Sequence, residues 1–188
     1  MIIKGHDVEF IDQTHTYLVD GVIVPSITQM LKVKFKDKYK FVNDKLLKQA
    51  ADLGTQTHKA IEDYCRYGTE CDLKELRNFK FLQRQYGFTV KENETTVILF
   101  DNGNPIGAGR LDLVLEMDGK IGGADIKRTS ALDKDYLAYQ LNLYRLAYKQ
   151  CYDVEWEFLR GVHLREDKRK FVTIPINEDL AREIIDGL

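Results

Sequence analysis

The spacing of hydrophobic and polar residues changes along the chain, from alternation at the N-terminus to helical periodicity after it. The first 24 residues alternate and contain Asp20-Gly21, a dipeptide typical of tight two-residue turns, so they predict a β-hairpin. Pro25 and Ser26 follow, and Ser26 is a good N-cap for a short helix. The N-terminus is therefore expected to be a hairpin followed by a short helix.

Helical spacing dominates the next part of the chain. Residues 37–51 predict a basic helix, which Gly54 is expected to end and after which Thr55 is expected to cap a new one. In that new helix His58 and Glu62 lie four residues apart and share one face. Residues 73–86 predict a further helix.

The second half of the chain alternates again and predicts most of the sheet. Strands are expected at 88–91, 95–100, 106–117 and 120–127, an amphipathic helix at 133–150, two strands within 154–164 and 170–176, and a closing helix at 178–187. We find no internal repeat, low-complexity tract or linker, so residues 1–188 are expected to form one domain. Helices, a β-meander, a helix and two strands in that order predict an α/β fold with one mixed sheet.

The hairpin over residues 106–127 combines a core face with two acids. If Asp118-Gly119 is its two-residue turn, Asp112 lies directly opposite Asp125, unless Gly122-Gly123 introduces a bulge. The other face is apolar and is expected to be buried; it carries Leu111, Leu113, Leu115, Ala124 and Ile126.

Two facing carboxylates about 5 Å apart repel each other and need compensation. One acid could keep a proton through a raised pKa, or Arg110 and Lys127, the next facing pair, could neutralise the acids as a structural network. A divalent cation between the acids is the third solution, because Mg²⁺ prefers carboxylate oxygens together with water and phosphate.

The segment Asp125-Ile126-Lys127 favours the cation. On a strand Asp125 and Lys127 point to the same side, while the carbonyl of Ile126 lies near the same edge. Such a segment supplies two metal-binding carboxylates with Asp112, a carbonyl ligand, and a lysine that can stabilise negative charge on a phosphate.

These residues resemble the PD-(D/E)XK nuclease superfamily, in its RecB-type and phage exonuclease branch. GTQTH at 54–58 is similar to the G-T-x-x-H helix of that branch, and ADIKRTS to its D-x-K-T segment. ENETTVILF followed by IGAGRLDLVL resembles its paired strands, YQLNLY its Q-x-x-x-Y, and HTYLVDGVIVPSITQML its N-terminal hairpin and helix start. The resemblance covers nearly the whole chain in order.

The resemblance implies a restriction-endonuclease-like core, a central mixed β-sheet flanked by helices, preceded by the N-terminal β-hairpin. It further implies that Asp112 and Asp125 bind Mg²⁺ or Mn²⁺, helped by the carbonyl of Ile126, with His58 as an additional ligand. All four are expected to meet at one metal site.

Other roles follow from the same resemblance. Lys127 would orient or activate the attacking water, and Gln140 and Tyr144 would line the site, contacting DNA or supporting the metal ligands. Glu94 would be an auxiliary acidic ligand, with Glu92 as its rival.

The chain departs from the family at two points. Arg128 stands where a threonine is common directly after the lysine. The sequence also lacks the cysteine cluster of some relatives: Cys65, Cys71 and Cys151 have no paired spacing. We therefore expect no iron–sulfur cluster, zinc site or disulfide framework.

The expected activity is that of a metal-dependent DNA nuclease, an exonuclease acting on DNA ends in recombination or repair. A structure- or site-specific endonuclease, a catalytically weak DNA-binding subunit with the same fold, and a non-nuclease with a structural charge network are the alternatives. The net charge of −2 counts against nonspecific binding by the whole chain, so the lysine-rich segment 32–48 and Arg110 are expected to contact the DNA backbone.

The chain has no apolar run of about 20 residues and no secretory start, which predicts a cytoplasmic, bacterial or phage-encoded protein without membrane association. A recombination partner protein or a homo-oligomer is compatible with that role.

Overall fold

An α/β fold with two sheets accounts for the described part of the chain. The computed structural model describes residues 1–36 and 44–188, and within the helix that begins at Asp44 it describes side chains from residue 48 onward. The predicted basic helix at 37–51 therefore lies partly outside the described residues.

The N-terminal sheet contains four antiparallel strands in sequence order: β1 (Ile2–Ile3), β2 (His6–Ile11), β3 (Thr16–Val19) and β4 (Val22–Val24). The turn between β3 and β4 is Asp20-Gly21, and both residues have positive φ, 53° and 78°. Helix α1 (Ile27–Met30) follows, and the Ser26 hydroxyl accepts a hydrogen bond from the Gln29 N–H at 3.1 Å while the Gln29 side chain accepts from the Ser26 N–H. The predicted hairpin and N-cap are confirmed.

The main sheet has five strands, in the order β5 (Thr89–Asp101), β6 (Asn104–Met117), β7 (Lys120–Lys127), β8 (Phe158–Leu164) and β9 (Arg169–Ile174). Strands β7 and β8 are parallel and the other neighbours are antiparallel, so the predicted mixed sheet is confirmed. Its helices are α2 (Asp44–Tyr67), α3 (Lys74–Tyr86), α4 (Lys134–Tyr152) and α5 (Glu178–Asp186). Helix α4 makes the crossover that a parallel pair requires.

Helix α2 is continuous where the sequence predicts a break at Gly54. The hydroxyl of Thr55 does not cap a new helix but donates to the carbonyl of Ala51, four residues earlier, at 3.1 Å. Thr57, fully buried, donates in the same way to Leu53. A single glycine costs a helix about 1 kcal/mol, which tertiary packing can offset.

Strand β5 is one strand where the sequence predicts two, at 88–91 and 95–100. Pairing with β6 continues along its whole length because the connection is a two-residue turn, Asn102-Gly103, with φ of 47° and 80°. The expected interruption is instead a register shift between Val90 and Glu92. Residues 92–94, which lie between the two predicted strands, therefore belong to β5.

The β6–β7 hairpin has the predicted turn and register, with Met117 opposite Lys120 and Leu113 opposite Ala124, and no bulge interrupts this pairing. The regular register ends there, so the predicted direct pairs Asp112–Asp125 and Arg110–Lys127 are wrong. Beyond it β6 stays paired with β5, whereas the end of β7 pairs with β8. Because β6 stays paired with β5 and β7 with β8, the two strands of the hairpin separate at Asp112 and Asp125. We call this point the fork.

Both faces of the main sheet are covered. The five residues predicted for the core face of the hairpin are at most 3% exposed. They do not all share one core, however: Leu111 packs in the cluster with α4, and the other four pack in the cluster with α2 and α3. Gly123 lies directly against the Trp156 ring, where a Cβ atom would clash. No helix in the described ranges, 1–36 and 44–188, has both the length and the apolar character needed to span a membrane.

Candidate active site

A cavity of about 240 Å³ lies at the fork of the β6–β7 hairpin. It gathers seven of the residues singled out from the sequence: His58, Glu94, Asp112, Asp125, Lys127, Gln140 and Tyr144. These come from α2, β5, β6, β7 and α4, so five separate elements position one polar cluster.

His58 reaches this cluster from the side of α2. Its Nε2 lies 3.1 Å from the carbonyl oxygen of Ile126, which can only accept, so Nε2 donates. Its Nδ1 lies 3.5 Å from Asp112 Oδ1 and 3.8 Å from Glu94 Oε1. Burial lowers the pKa of His58, but the negative charges of Asp112, Glu94 and Asp125 outweigh it and raise the pKa to about 9.

Asp112 is held at the fork by the backbone of the opposite strand. Its Oδ2 accepts a hydrogen bond from the Ile126 N–H at 2.6 Å, which replaces the ladder bond lost where the strands separate. Burial raises the pKa of Asp112 to about 7; Asp125 and Glu94 push it up, while His58 and Lys127 pull it down. The positive charge around Asp112 therefore does not fully compensate its ionised form.

Glu94 is the acid that β5 contributes, and Glu92 is not. Glu94 has a positive φ of 51° at the irregular part of the strand, and its side chain is only 12% exposed. Its Oε2 pairs with Arg110 Nε at 2.6 Å. Glu92 instead accepts a hydrogen bond from the Tyr148 hydroxyl at 2.8 Å.

Asp125 and Lys127 form a separate ion pair beside these groups. Lys127 Nζ lies 2.6 Å from Asp125 Oδ2, and Gln140 Nε2 donates to Asp125 Oδ1 at 2.8 Å. Burial lowers the pKa of Lys127, but Asp125 and Asp112 outweigh burial and raise it, so the ammonium stays charged. The Oε1 atom of Gln140 is buried and has no hydrogen-bond partner within the described residues, which leaves an acceptor free for a bound group.

Tyr144 supports the site from behind. Its ring is buried, its hydroxyl donates to the carbonyl of Arg110 at 3.1 Å, and burial raises its pKa well above the usual range. A Cβ atom at Gly109 would lie 2.9 Å from this ring, so only glycine lets the ring lie against β6. The glycine at position 109 thus has a steric cause.

Among the described residues, His58, Glu94 and Asp112 form a group that could hold a metal ion. One ligand atom from each lies within 4.8 Å of the others. This set contains Glu94 in place of Asp125, which was expected from the hairpin; Asp125 instead contacts Lys127 and Gln140. The carbonyl of Ile126, expected as a ligand, instead accepts from His58.

A second cavity of about 360 Å³ adjoins this ligand set along α2. Both cavities are lined by His58, Glu94 and Arg110, and the second one also by Gly54, Thr55, Lys59 and Glu62. The ligand set therefore borders both cavities. Glu62, on the same face of α2 as His58, pairs with Lys59 and Arg66.

Arg128, the departure from the family pattern, points away from the cluster. Its guanidinium is 7% exposed and pairs with the buried Glu75 of α3 at 2.6 Å and with Glu166 at 2.5 Å. The pair anchors the loop that follows Lys127. Sequence spacing gave no signal for Glu75, because it lies 53 residues away.

Sequence reasoning also missed the contribution of the N-terminal sheet. His15, Tyr17, Ser26 and Thr28 line the same cavity as the acids. The parallel bridge between Ser26 and Ala108 brings this part of the chain against β6. Ser26 was expected only as a helix cap.

A further cavity of about 400 Å³ lies between α4 and α5, away from these groups. Its charged residues already pair with neighbours: Arg145 with Glu155 and Glu178, and Arg182 with Asp101. We therefore place the candidate active site at the fork, where buried acids and a buried cation meet with incomplete compensation.

Comparisons with known proteins identify no family. No family model matches the chain, and no curated protein matches it. Among solved structures the chain is similar to the crystal structure of SSO0001, with 17% identity over 87% of this chain and 75% of that chain and a TM-score of 0.46. The function is therefore inferred from the residues of the site.

Proposed function

We propose that the chain is a metal-dependent deoxyribonuclease with the restriction-endonuclease-like core of the PD-(D/E)XK superfamily. The observation that supports this most strongly is the cluster at the fork of the β6–β7 hairpin. It places a His–Glu–Asp ligand set next to a buried Asp–Lys pair in one cavity.

The donor set fits a hard divalent cation. Two carboxylates and one imidazole are ligands that Mn²⁺ accepts, and carboxylates with water suit Mg²⁺. The raised pKa of Asp112 and the free acceptor of Gln140 indicate that the cluster lacks positive charge and a polar partner.

His58, Glu94 and Asp112 would hold the cation, with Asp125 next to them. A divalent cation there would polarise the scissile phosphate and lower the pKa of the attacking water. The Nε2 bond from His58 to the Ile126 carbonyl keeps Nδ1 directed at the two acids.

The chain's own residues supply the remaining requirements. Lys127 stays protonated because Asp125 and Asp112 surround it, so it would stabilise negative charge that develops on the phosphate. Gln140 holds Asp125 in place at 2.8 Å. Arg110, 41% exposed and paired with Glu94, lies where both cavities meet and would contact a backbone phosphate.

DNA requires more positive charge than the cavity offers. The lysine-rich segment 32–48 would provide it, although residues 37–43 and the side chains of 44–47 lie outside the described residues. Lys34 at its start pairs with Glu183 and lies 4.7 Å from the Tyr139 ring centroid. Phosphate contacts would lower log K by about 0.7–0.9 per tenfold rise in salt for each phosphate neutralised.

Exonuclease action on DNA ends is the favoured form of this activity. A cavity of about 240 Å³, walled in part by His15 and Tyr17 of the N-terminal sheet, suits a strand end better than a continuous duplex. Recombination or repair, in the cytoplasm of a bacterium or of a phage-infected cell, is the corresponding biological role.

Digestion of end-labelled DNA tests the proposal. Single- and double-stranded substrates, linear and circular, are incubated with Mg²⁺ or Mn²⁺ and, as a control, with EDTA. Cleavage of linear but not circular DNA supports an exonuclease, and cleavage of circular DNA supports an endonuclease. Binding without cleavage under every metal condition would refute the nuclease and leave a DNA-binding subunit.

A further inference from the structure

The N-terminal sheet contributes an aromatic surface to the wall of the candidate active-site cavity. His15 and Tyr17 line the cavity directly, and Phe10 packs against both of their rings. None of these three residues belongs to the ligand set or to the Asp125–Lys127 pair. The proposed metal-dependent cleavage therefore gives no role to the cavity position of His15 and Tyr17.

The backbone holds His15 in an unusual conformation. It follows a 3-10 turn over Asp12–Thr14 and has a φ of 51°, in the left-handed region. Its N–H donates to the Asp12 carbonyl at 3.2 Å. Non-glycine residues in this region are uncommon and concentrate at functional sites.

His15 is exposed, and its ring does not stack in parallel on the ring of Phe10 or of Tyr17. Its contacts with Phe10 and Tyr17 are edge-on, with interplanar angles of 89° and 83° at centroid distances of 5.2 and 6.1 Å. Neither contact is parallel stacking, so a flat ligand can still stack against this ring.

The aromatic surface is connected to the ligand set. The Arg110 guanidinium carbon lies 5.1 Å from the centroid of the Phe10 ring, and its Nε pairs with Glu94 at 2.6 Å. A ligand that stacks on His15 therefore lies next to the phosphate position that the proposed function requires.

We propose that Phe10, His15 and Tyr17 form a nucleobase subsite in which His15 stacks on an unpaired base next to the scissile phosphate. This subsite rests on the proposed function and narrows its substrate to single-stranded DNA. A base inside a duplex already stacks on both sides, so only a single strand or a frayed end presents a free base.

Charge supports a base rather than a phosphate as the group held here. His15 itself is exposed and offers a ring face, whereas Arg110 and Lys127, the cations suited to phosphate in this cavity, pair with Glu94 and Asp125. An aromatic surface attracts a base without depending on charge, and the attraction tolerates any sequence because every base has a flat face.

Equilibrium binding in EDTA tests the subsite without cleavage. Two unlabelled competitors displace a fluorescent single strand: oligodeoxythymidine and an oligomer of abasic sites of the same length. His15→Asn removes the ring but tolerates the left-handed backbone, so the fold is retained. It should weaken binding of oligodeoxythymidine about tenfold and leave the abasic oligomer unchanged.

Gln13→Asn, an exposed change in the same turn, is the matched control and should alter neither affinity. Equal losses for both oligomers in His15→Asn would indicate a phosphate contact, and no loss for either would indicate no contact; both results overturn the subsite. Metal-dependent cleavage by the wild-type protein is measured separately. If the wild-type protein cleaves DNA but His15→Asn loses no affinity that depends on the bases, only the subsite is overturned. If His15→Asn does lose base-dependent affinity but the wild-type protein cleaves no DNA, only the nuclease is overturned.

Discussion

Without bound metal, the wild-type protein is expected to lose stability as pH rises. The Asp112→Asn variant is expected not to show this loss. Burial, with help from Asp125 and Glu94, raises the pKa of Asp112 from its ordinary 3.8 to about 7. Between these values the unfolded chain releases this proton while the folded chain keeps it, so the free energy of unfolding falls as pH rises. At about 1.4 kcal/mol per pH unit the loss over that interval amounts to about 4 kcal/mol.

His58 adds to the same trend at higher pH. Its pKa is raised from 6.5 to about 9, so the stability it contributes is complete below 6.5 and is lost as pH rises through about 9. Asp112→Asn removes the charge that contributes most to this rise, and the variant should therefore depend less on pH in both ranges.

Urea unfolding in EDTA over a series of pH values measures the effect. Wild type should lose about 4 kcal/mol more than Asp112→Asn between about pH 4 and about pH 7. Asp118→Asn is the matched control, because residue 118 is an exposed turn residue of the same hairpin with a φ of 53°, which asparagine adopts readily. Parallel profiles for wild type and Asp112→Asn would refute the electrostatic account. Mg²⁺ or Mn²⁺ should restore wild-type stability above pH 7 and have a smaller effect on Asp112→Asn.

Four further substitutions test three separate features of the structure. Asp125→Ala and Lys127→Ala should abolish Mg²⁺- or Mn²⁺-dependent cleavage while circular dichroism shows a folded protein, and undiminished turnover in both would refute their assignment. Gly109→Ala should destabilise by about 1–3 kcal/mol in thermal unfolding, since its Cβ would lie 2.9 Å from the Tyr144 ring; an unchanged melting temperature would contradict this. Glu75→Gln breaks the buried ion pair that anchors the loop after β7, and should cost about 3 kcal/mol in urea unfolding; a cost below about 0.5 kcal/mol would show that the pair is not structural.

Local signals in the sequence predicted much of the fold. The turns at Asp20-Gly21 and Asp118-Gly119 have positive φ at all four residues, a geometry that favours Asp-Gly strongly. Ser26 with Gln29 forms a reciprocal cap, again a local arrangement. Such features depend on a few neighbouring residues, so a sequence can specify them directly.

Errors arose where distant partners decide the structure. Gly54 looked like a helix end, yet the hydroxyl of Thr55 bonds backwards and the helix continues. The predicted pairing of Asp112 with Asp125 assumed an isolated hairpin. In the sheet β6 pairs with β5 and β7 pairs with β8, and the two strands of the hairpin separate at these residues. Neither outcome can be read from the spacing of the residues themselves.

The candidate site shows the same division. The motif residues do converge on one cavity, but the ligand set uses Glu94 in place of Asp125. The ion pair of Arg110 with Glu94 depends on the pairing of β5 with β6, and the contribution of His15 depends on how the N-terminal part of the chain packs on β6; no local pattern encodes either contact.

Calorimetric titration of Mn²⁺ into the metal-free protein tests the central claim most directly. Wild type and the Asp118→Asn control should bind the ion with the same affinity, and Asp112→Asn should bind about tenfold more weakly or not at all, because it loses a charged ligand. Equal affinities for wild type and Asp112→Asn, or no heat of binding with wild type, would contradict a divalent cation at the His58, Glu94 and Asp112 set.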